Sequence, residues 1–246
     1  MRWHSMMAGC LLTAVTVVCV LLLPGPGMAQ STLAEAALIR SIRAGGDVPL
    51  TLDPRSAFWR SAAPITISSD NYGQPSGQAM TVVRSRWTKD NLYLLFVCPY
   101  QQLNLKPAPE TKTETNELWN WDVAEVFIGY DFDHIRSYKE FEVSPQGEWI
   151  DLAIDLDKPQ PGEGRHWDSG FETAAHIDRD RKVWFGAMRI PIAAIDPTPA
   201  SVGSKLRVNF FRCEGVEPDR QLLAWQAPMG PSFHVPERFG LMELVK

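Results

Sequence analysis

The chain has 246 residues, of which 45% are hydrophobic, 10% aromatic and 22% charged. That is enough apolar material for a substantial core, and it excludes a disordered chain, a collagen-like repeat or a small disulfide-stapled scaffold. Lysine and arginine total 24 against 29 aspartates and glutamates, a net charge of −5, so the basic footprint of a nucleic-acid binder is missing.

Residues 1–29 read as an export address. Arg2 and His4 open the segment, residues 8–23 are almost wholly apolar, and Pro24, Gly25, Pro26 and Gly27 then break any helix. The apolar run is shorter than the roughly 20 residues that a membrane span needs. Gly27 and Ala29 supply the small residues of a cleavage site after Ala29. The expectation is a secretory signal over 1–29 and a secreted or periplasmic mature chain with no membrane partner; an uncleaved anchor is the alternative. Residues 30–47 are expected to form a short leader, with one or two helical turns near Leu33 and Leu38, ended by Gly45-Gly46.

From Val48 to Lys246 the dominant period is two. Strands are expected over 65–69, 80–87, 92–98, 123–130, 138–144, 149–154, 171–177, 183–190, 205–213, 222–226 and 239–245. Turn residues separate them, as in Ser144-Pro145-Gln146-Gly147 and Asp178-Arg179-Asp180-Arg181. In the second of these stretches to be strongly apolar, Leu92, Leu94, Phe96 and Cys98 alternate with Tyr93, Leu95 and Val97, the mark of a strand covered on both sides. Residues 191–195 suit a single helical turn before Asp196-Pro197. With no strand–helix alternation, the fold class is all-β: one antiparallel β-sandwich over 48–246, immunoglobulin-like or jelly-roll-like. The polar stretches 101–117 and 157–168 are long enough to carry function.

Cys98 and Cys213 remain after the signal, each closing a strand-like run. A disulfide between them would close a long loop, worth about 4 kcal/mol in the chain-entropy picture; two buried free thiols are the alternative. The chain has no Gly-x-Ser-x-Gly elbow, no phosphate-cradling Gly-Lys-Ser/Thr loop, and no His-Glu-x-x-His or Cys-x-x-Cys pair. No metal centre and no obligate cofactor are expected. Calcium is kept open because Asp151, Asp155 and Asp157, and also Asp131 and Asp133, offer the oxygen atoms a hard cation accepts; solvated carboxylates are the competing reading. Asp122 and Glu125 are an odd number of residues apart on one strand, so they face opposite sides and do not form a glycosidase acid pair.

The nine tryptophans point elsewhere. Trp119 and Trp121 bracket Asn120 at the end of one polar loop, Trp167 closes another, and Phe233 sits in a third, just ahead of the final strand. Aromatic rings in polar loops offer flat faces that the C–H side of a sugar stacks on, while neighbouring carboxylates and amides take its hydroxyls. Caps on the ends of the sandwich are the competing reading of each ring.

Asp53-Pro54, Trp59, Ala62, Trp87 and Asp90-Asn91-Leu92-Tyr93, followed by Trp119-Asn120-Trp121-Asp122-Val123-Ala124-Glu125-Val126-Phe127, resemble the family 9 carbohydrate-binding modules. Phe141-Glu142-Val143-Ser144-Pro145, Trp184, Ile190-Pro191, Asn209-Phe210-Phe211-Arg212, Trp225 and Phe239-Gly240-Leu241 continue the likeness to the chain end. The resemblance implies a non-catalytic β-sandwich that binds an oligosaccharide or polysaccharide between two rings, in the setting of carbohydrate catabolism and alongside polysaccharide-degrading enzymes. Trp119 would be the first ring and Phe233 the second, where the family has a larger tryptophan. Glu125 would bind sugar hydroxyls, and Asp122 would add polar contacts or hold the loop, with Trp121 and Glu142 completing the site; Glu142 stands where the family has an arginine. Three rivals stay open. One is a haem b electron-transfer sandwich, with Met80, Met188, Met229, His176 and His234 as candidate ligands; the others are a small O-glycosyl hydrolase and a protein-interaction surface.

Overall fold

The computed structural model describes Met1 and residues 37–77, 80–158 and 167–246. The expected signal, its cleavage after Ala29 and the helical turns near Leu33 lie outside the described residues. Every strand expected from the period-two pattern forms, with ends shifted by at most two residues and the 65–69 strand split in two. In chain order they are β2 (Ile65–Ile67) with β3 (Ser69–Asp70), β4 (Thr81–Trp87), β5 (Asn91–Pro99), β6 (Val123–Gly129), β7 (Ser137–Val143) and β8 (Trp149–Asp155). Then follow β9 (Glu172–Asp178), β10 (Val183–Pro191), β11 (Lys205–Glu214), β12 (Gln221–Ala224) and β13 (Gly240–Val245). One further strand, β1 (Leu38–Arg43), lies inside the expected leader. Two short helices complete the set, α1 (Ala57–Arg60) and α2 (Ile192–Ile195), the second where the helical turn was expected. Among the described residues no helix is long and apolar enough to cross a membrane.

The strands hydrogen-bond along one path, β8-β7-β6-β11-β13-β1-β4-β5-β10-β9, with β12 on β11, β3 on β12 and β2 on β4. Most neighbours are antiparallel. β1 departs from that, running parallel to both β13 and β4, with Leu38 opposite Leu241 and Ile42 opposite Arg86. The sheet curls until its ends meet, so that β7 lies against β9 and β10. The interior is filled by alternate residues of each strand: Val126 and Ile128 from β6, Phe141 and Val143 from β7, Phe210 from β11, Met242 from β13, Trp87 from β4, Leu94 and Phe96 from β5, and Trp184 from β10.

The other face of this sheet is treated in two ways. On β5 and β10, Tyr93, Leu95 and Ala187 are roofed by Trp59 of α1. Ser56 caps that short helix by accepting from the Trp59 N–H, and the Trp59 indole donates to the Thr51 carbonyl at 2.8 Å. Both sides of 92–98 are therefore covered, as its sequence implies. Across β8, β7, β6 and β11 the outward residues are also apolar: Ile150, Leu152, Ile154, Tyr138, Phe127, Phe211 and Cys213. Among the described residues no strand layer covers them. The loops 118–121 and 231–239 rise along the edges of this patch, and the result is a cleft.

Candidate functional site

The cleft measures about 690 Å3, and its lining includes Trp119, Asn120, Glu125, Phe127, Glu140, Leu152, Ile154, Arg220, Leu222, Phe233 and His234. Trp119 rides on a 3-10 turn over Leu118–Asn120 whose anchor, Leu118, is fully buried. The turn begins at Glu117 in the left-handed region, φ 55°. Arg220 holds it from across the cleft rim: its guanidinium donates to the carbonyls of Trp119 and Asn120, the latter at 2.6 Å. Asn104 adds a second donor to the Asn120 carbonyl at 3.2 Å.

Phe233 is fixed by stacking. Its ring lies on Phe211 with centroids 4.2 Å apart and planes 14° off parallel, leaving one face and an edge for the cleft. His234, next in the chain, stacks on Phe127 at 5.1 Å and shares a 2.6 Å hydrogen bond between Nδ1 and the Tyr138 hydroxyl. The two rings expected from sequence thus line the same cavity, one half-buried on each rim.

Below them lies an acidic floor. Glu125 of β6 and Glu142 of β7 are directly opposite in register, and Glu140 stands two residues from Glu142 on the same face. One carboxylate oxygen of each falls within 4.8 Å of the other two. Exposures of 1%, 3% and 0% for Glu125, Glu140 and Glu142 explain their proton affinity. Burial, and then the charge of Glu140, pushes Glu125 up to about 8; burial pushes Glu140 up to about 7. Glu142 is raised well above the usual carboxylate range by burial and by the charges of Glu125 and Glu140.

Of the remaining site residues expected from sequence, Glu142 lies beneath the lining, and Asp122 and Trp121 are not part of it. Asp122 is fully buried, on the opposite side of β6 from Glu125. Its Oδ1 accepts the Gly215 N–H at 2.7 Å, and its own N–H donates to the Asn104 carbonyl at 2.9 Å. It ties the 101–117 loop to the end of β11. Trp121 packs against the outer apolar cluster away from the cavity. Sequence reasoning missed Glu140 and Arg220. Neither carried a signal of its own in the sequence: in SYKEFEV, Glu140 reads as a polar residue alternating with Phe141 and Val143.

Cys98 and Cys213 are free thiols on opposite sides of the sheet, one in the interior and one on the cleft face, so the disulfide alternative is not formed. The acidic runs considered for calcium do not converge either. Asp131 pairs with His134, Asp155 with Lys158, Asp157 with Arg136, and Asp151 accepts from Ser169. The haem-ligand candidates are dispersed. Met188 is in the interior, Met80 and Met229 are exposed, His176 is on β9 at the end of the sheet path, and His234 is in the cleft. His234 is the one of these that lines the cleft.

The family model for carbohydrate family 9 binding domain-like proteins matches residues 54–246, most of the chain, and the protein belongs to that family. A curated relative from Arthroderma benhamiae, named "Extracellular protein", is 28% identical over 164 residues, 61% of this chain and 68% of that one. Among solved structures, a Bacteroides uniformis protein superposes with TM-score 0.68 at 14% identity, covering 85% of this chain and all of that one. A family 9 carbohydrate-binding module of Caldicellulosiruptor kristjanssonii in complex with cellotriose gives 0.61 at 14% identity, covering 85% and 94% of the two chains. The glucose complex gives 0.61 at 15% identity, covering 84% and 95%. At these identities the likeness is one of fold.

Proposed function

We propose that the protein is a non-catalytic glycan-binding module that holds an oligosaccharide, or the end of a polysaccharide, in the cleft between Trp119 and Phe233. The observation that carries this reading is that two rings far apart in the chain line one cavity, in a family whose Caldicellulosiruptor member is complexed with cellotriose and glucose. A sugar stacks its C–H face on Trp119, and its hydroxyls reach Glu125, Asn120 and the Arg220 guanidinium. Glu125 and Glu140 of the lining are clustered together on the cleft floor, whereas hydrolysis needs two acids on either side of the scissile bond; binding is the better reading. The apolar segment at 8–23 and the relative named extracellular support export, and an exported glycan binder fits polysaccharide breakdown beside degradative enzymes.

Calorimetric titration with cello- and xylo-oligosaccharides tests this. One or two stacked rings and a few solvent-competed hydrogen bonds give a Kd of order 10–1000 µM. Trp119→Ala weakens it at least about 3–10-fold, the value of one stacked ring, while the thermal midpoint stays near wild type because the ring is only half-buried. Equal heats from the two proteins would remove Trp119 from the site.

A further inference from the structure

The floor of the cleft is hard to account for as a purely organic binding surface. Like charges directly opposite on neighbouring strands destabilise a sheet, yet Glu125 faces Glu142 across β6 and β7 and Glu140 adjoins both. Buried carboxylates are ordinarily paired with donors. Glu142, which has no exposed surface, meets only the Glu140 carboxyl as a side-chain hydrogen-bond partner, and no amide, hydroxyl or cationic donor reaches either of its oxygens or Oε2 of Glu140. Among the described residues no lysine or arginine forms an ion pair with any of the three. Their neighbours are weak or remote: the Cys213 thiol lies 3.4 Å from Glu125 Oε1, the His234 Nε2 lies 4.0 Å from Glu140 Oε2, and Arg220 acts on Glu125 only through its field.

We infer that Glu125, Glu140 and Glu142 form a binding site for a hard divalent cation, calcium in particular, on the floor of the cleft. Three oxygens within 4.8 Å of one another suit an ion whose ligands stand about 2.3–2.6 Å away, in a shell that tolerates irregular geometry. Magnesium needs a tighter and more regular octahedron. An all-carboxylate set also disfavours soft metals. Glu142 closes the site from below, while Glu125 and Glu140 open onto the cavity. The ion therefore keeps coordination positions facing the rings, and these take water or a pair of sugar hydroxyls. That last step rests on the glycan reading above; the cation site itself does not.

Two titrations on the chelator-stripped full-length protein separate these claims. Calcium alone is titrated first, by calorimetry and by terbium luminescence sensitised through Trp119, against wild type and Glu142→Gln. Wild type is expected to bind one calcium ion more tightly than magnesium. Glu142→Gln is expected to lose at least 10-fold in calcium affinity while melting no lower than the stripped wild type, since an uncharged amide of the same shape replaces a carboxyl crowded by two others. Absence of calcium binding at millimolar concentration, tighter binding of magnesium, or equal calcium binding by Glu142→Gln would overturn the site. Cellotriose is titrated second, in calcium and in chelator, with at least a fivefold gain in calcium expected. Equal cellotriose affinity in both would overturn the coordination of sugar by the ion and leave the glycan reading intact.

Discussion

Arg212 has no exposed surface, although it carries a guanidinium into the interior of the sheet. Nη1 donates to the Thr81 hydroxyl at 2.9 Å, Nη2 is 3.5 Å from the Glu214 carboxylate, and the plane sits 5.9 Å from the Trp184 ring. Asp122 and Glu214, both buried, depend on its charge. Removing one member of such a set leaves the others uncompensated, at about 3–5 kcal/mol. Arg212→Met is expected to lose that much in denaturant-induced unfolding, and adding Asp122→Asn should return part of it. A loss below about 1 kcal/mol would mean that Arg212 does not neutralise Asp122 and Glu214. The same geometry explains which site residues were legible. Trp119, Phe233 and Glu125 announce themselves as aromatics in polar loops and as an acid in an apolar strand. Of the two roles open to Asp122, the structure shows the loop-holding one, because its side chain faces inward while its neighbours in sequence belong to the cleft. Glu140 looks like an ordinary surface residue until the pairing of β6 with β7 sets it beside Glu125.

β1 was invisible to periodicity for a related reason. Its sequence, LIRSIR, turns Ser41 inward, where the hydroxyl meets Ser85 at 2.7 Å, so the apolar alternation breaks at its centre. What holds β1 is pairing on both edges and close backbone contact with Gly240. A Cβ at Gly240 would stand 2.5 Å from the Trp225 ring and 2.7 Å from the Ala37 carbonyl oxygen. Gly240→Ala must push Trp225 or the start of β1 aside, at a cost of about 1–3 kcal/mol. Its melting temperature should fall by several degrees, and hydrogen exchange in 38–43 should accelerate more than in β5. Unchanged exchange in 38–43 would contradict the docking of β1 against β13. The two-sided strands carry a second lesson. Residues 92–98 and 123–129 look alike in hydropathy, yet the outer side of one is roofed by Trp59 and that of the other is the cleft. Alternation reports that a face is apolar, not what covers it.

For the molecule as a whole, buried acids set the pH dependence of stability, and those outside the cleft act in the same direction as the three on its floor. Burial pushes Asp122 up to about 6 and Asp151 up to about 7, and raises Glu214. The native state therefore holds protons that the unfolded chain releases near pH 4, and stability declines as pH rises from about 4 to 7. The carboxylates shifted the other way, Asp47, Asp53, Asp131 and Asp178, are surface groups whose effect falls below pH 4. With chelator present, the melting temperature should be higher at pH 5 than at pH 7.5, with a smaller difference in Asp122→Asn. A midpoint rising toward pH 7.5 would contradict the burial of these acids as described. At this scale the sequence revealed an all-β chain and nearly every strand in order. It could not reveal that the strands join one curled sheet, with β11 gripped by β6 on one edge and by β13 and β12 on the other. Those pairings join segments remote in the chain and leave no local signature.

A crystal structure of the protein soaked with cellotriose tests the central claim most directly. A sugar ring is expected against Trp119, with Phe233 on the far side and hydroxyls directed to the glutamate floor. Cellotriose bound elsewhere on the surface, or a cleft still holding only solvent at saturating sugar, would contradict the account.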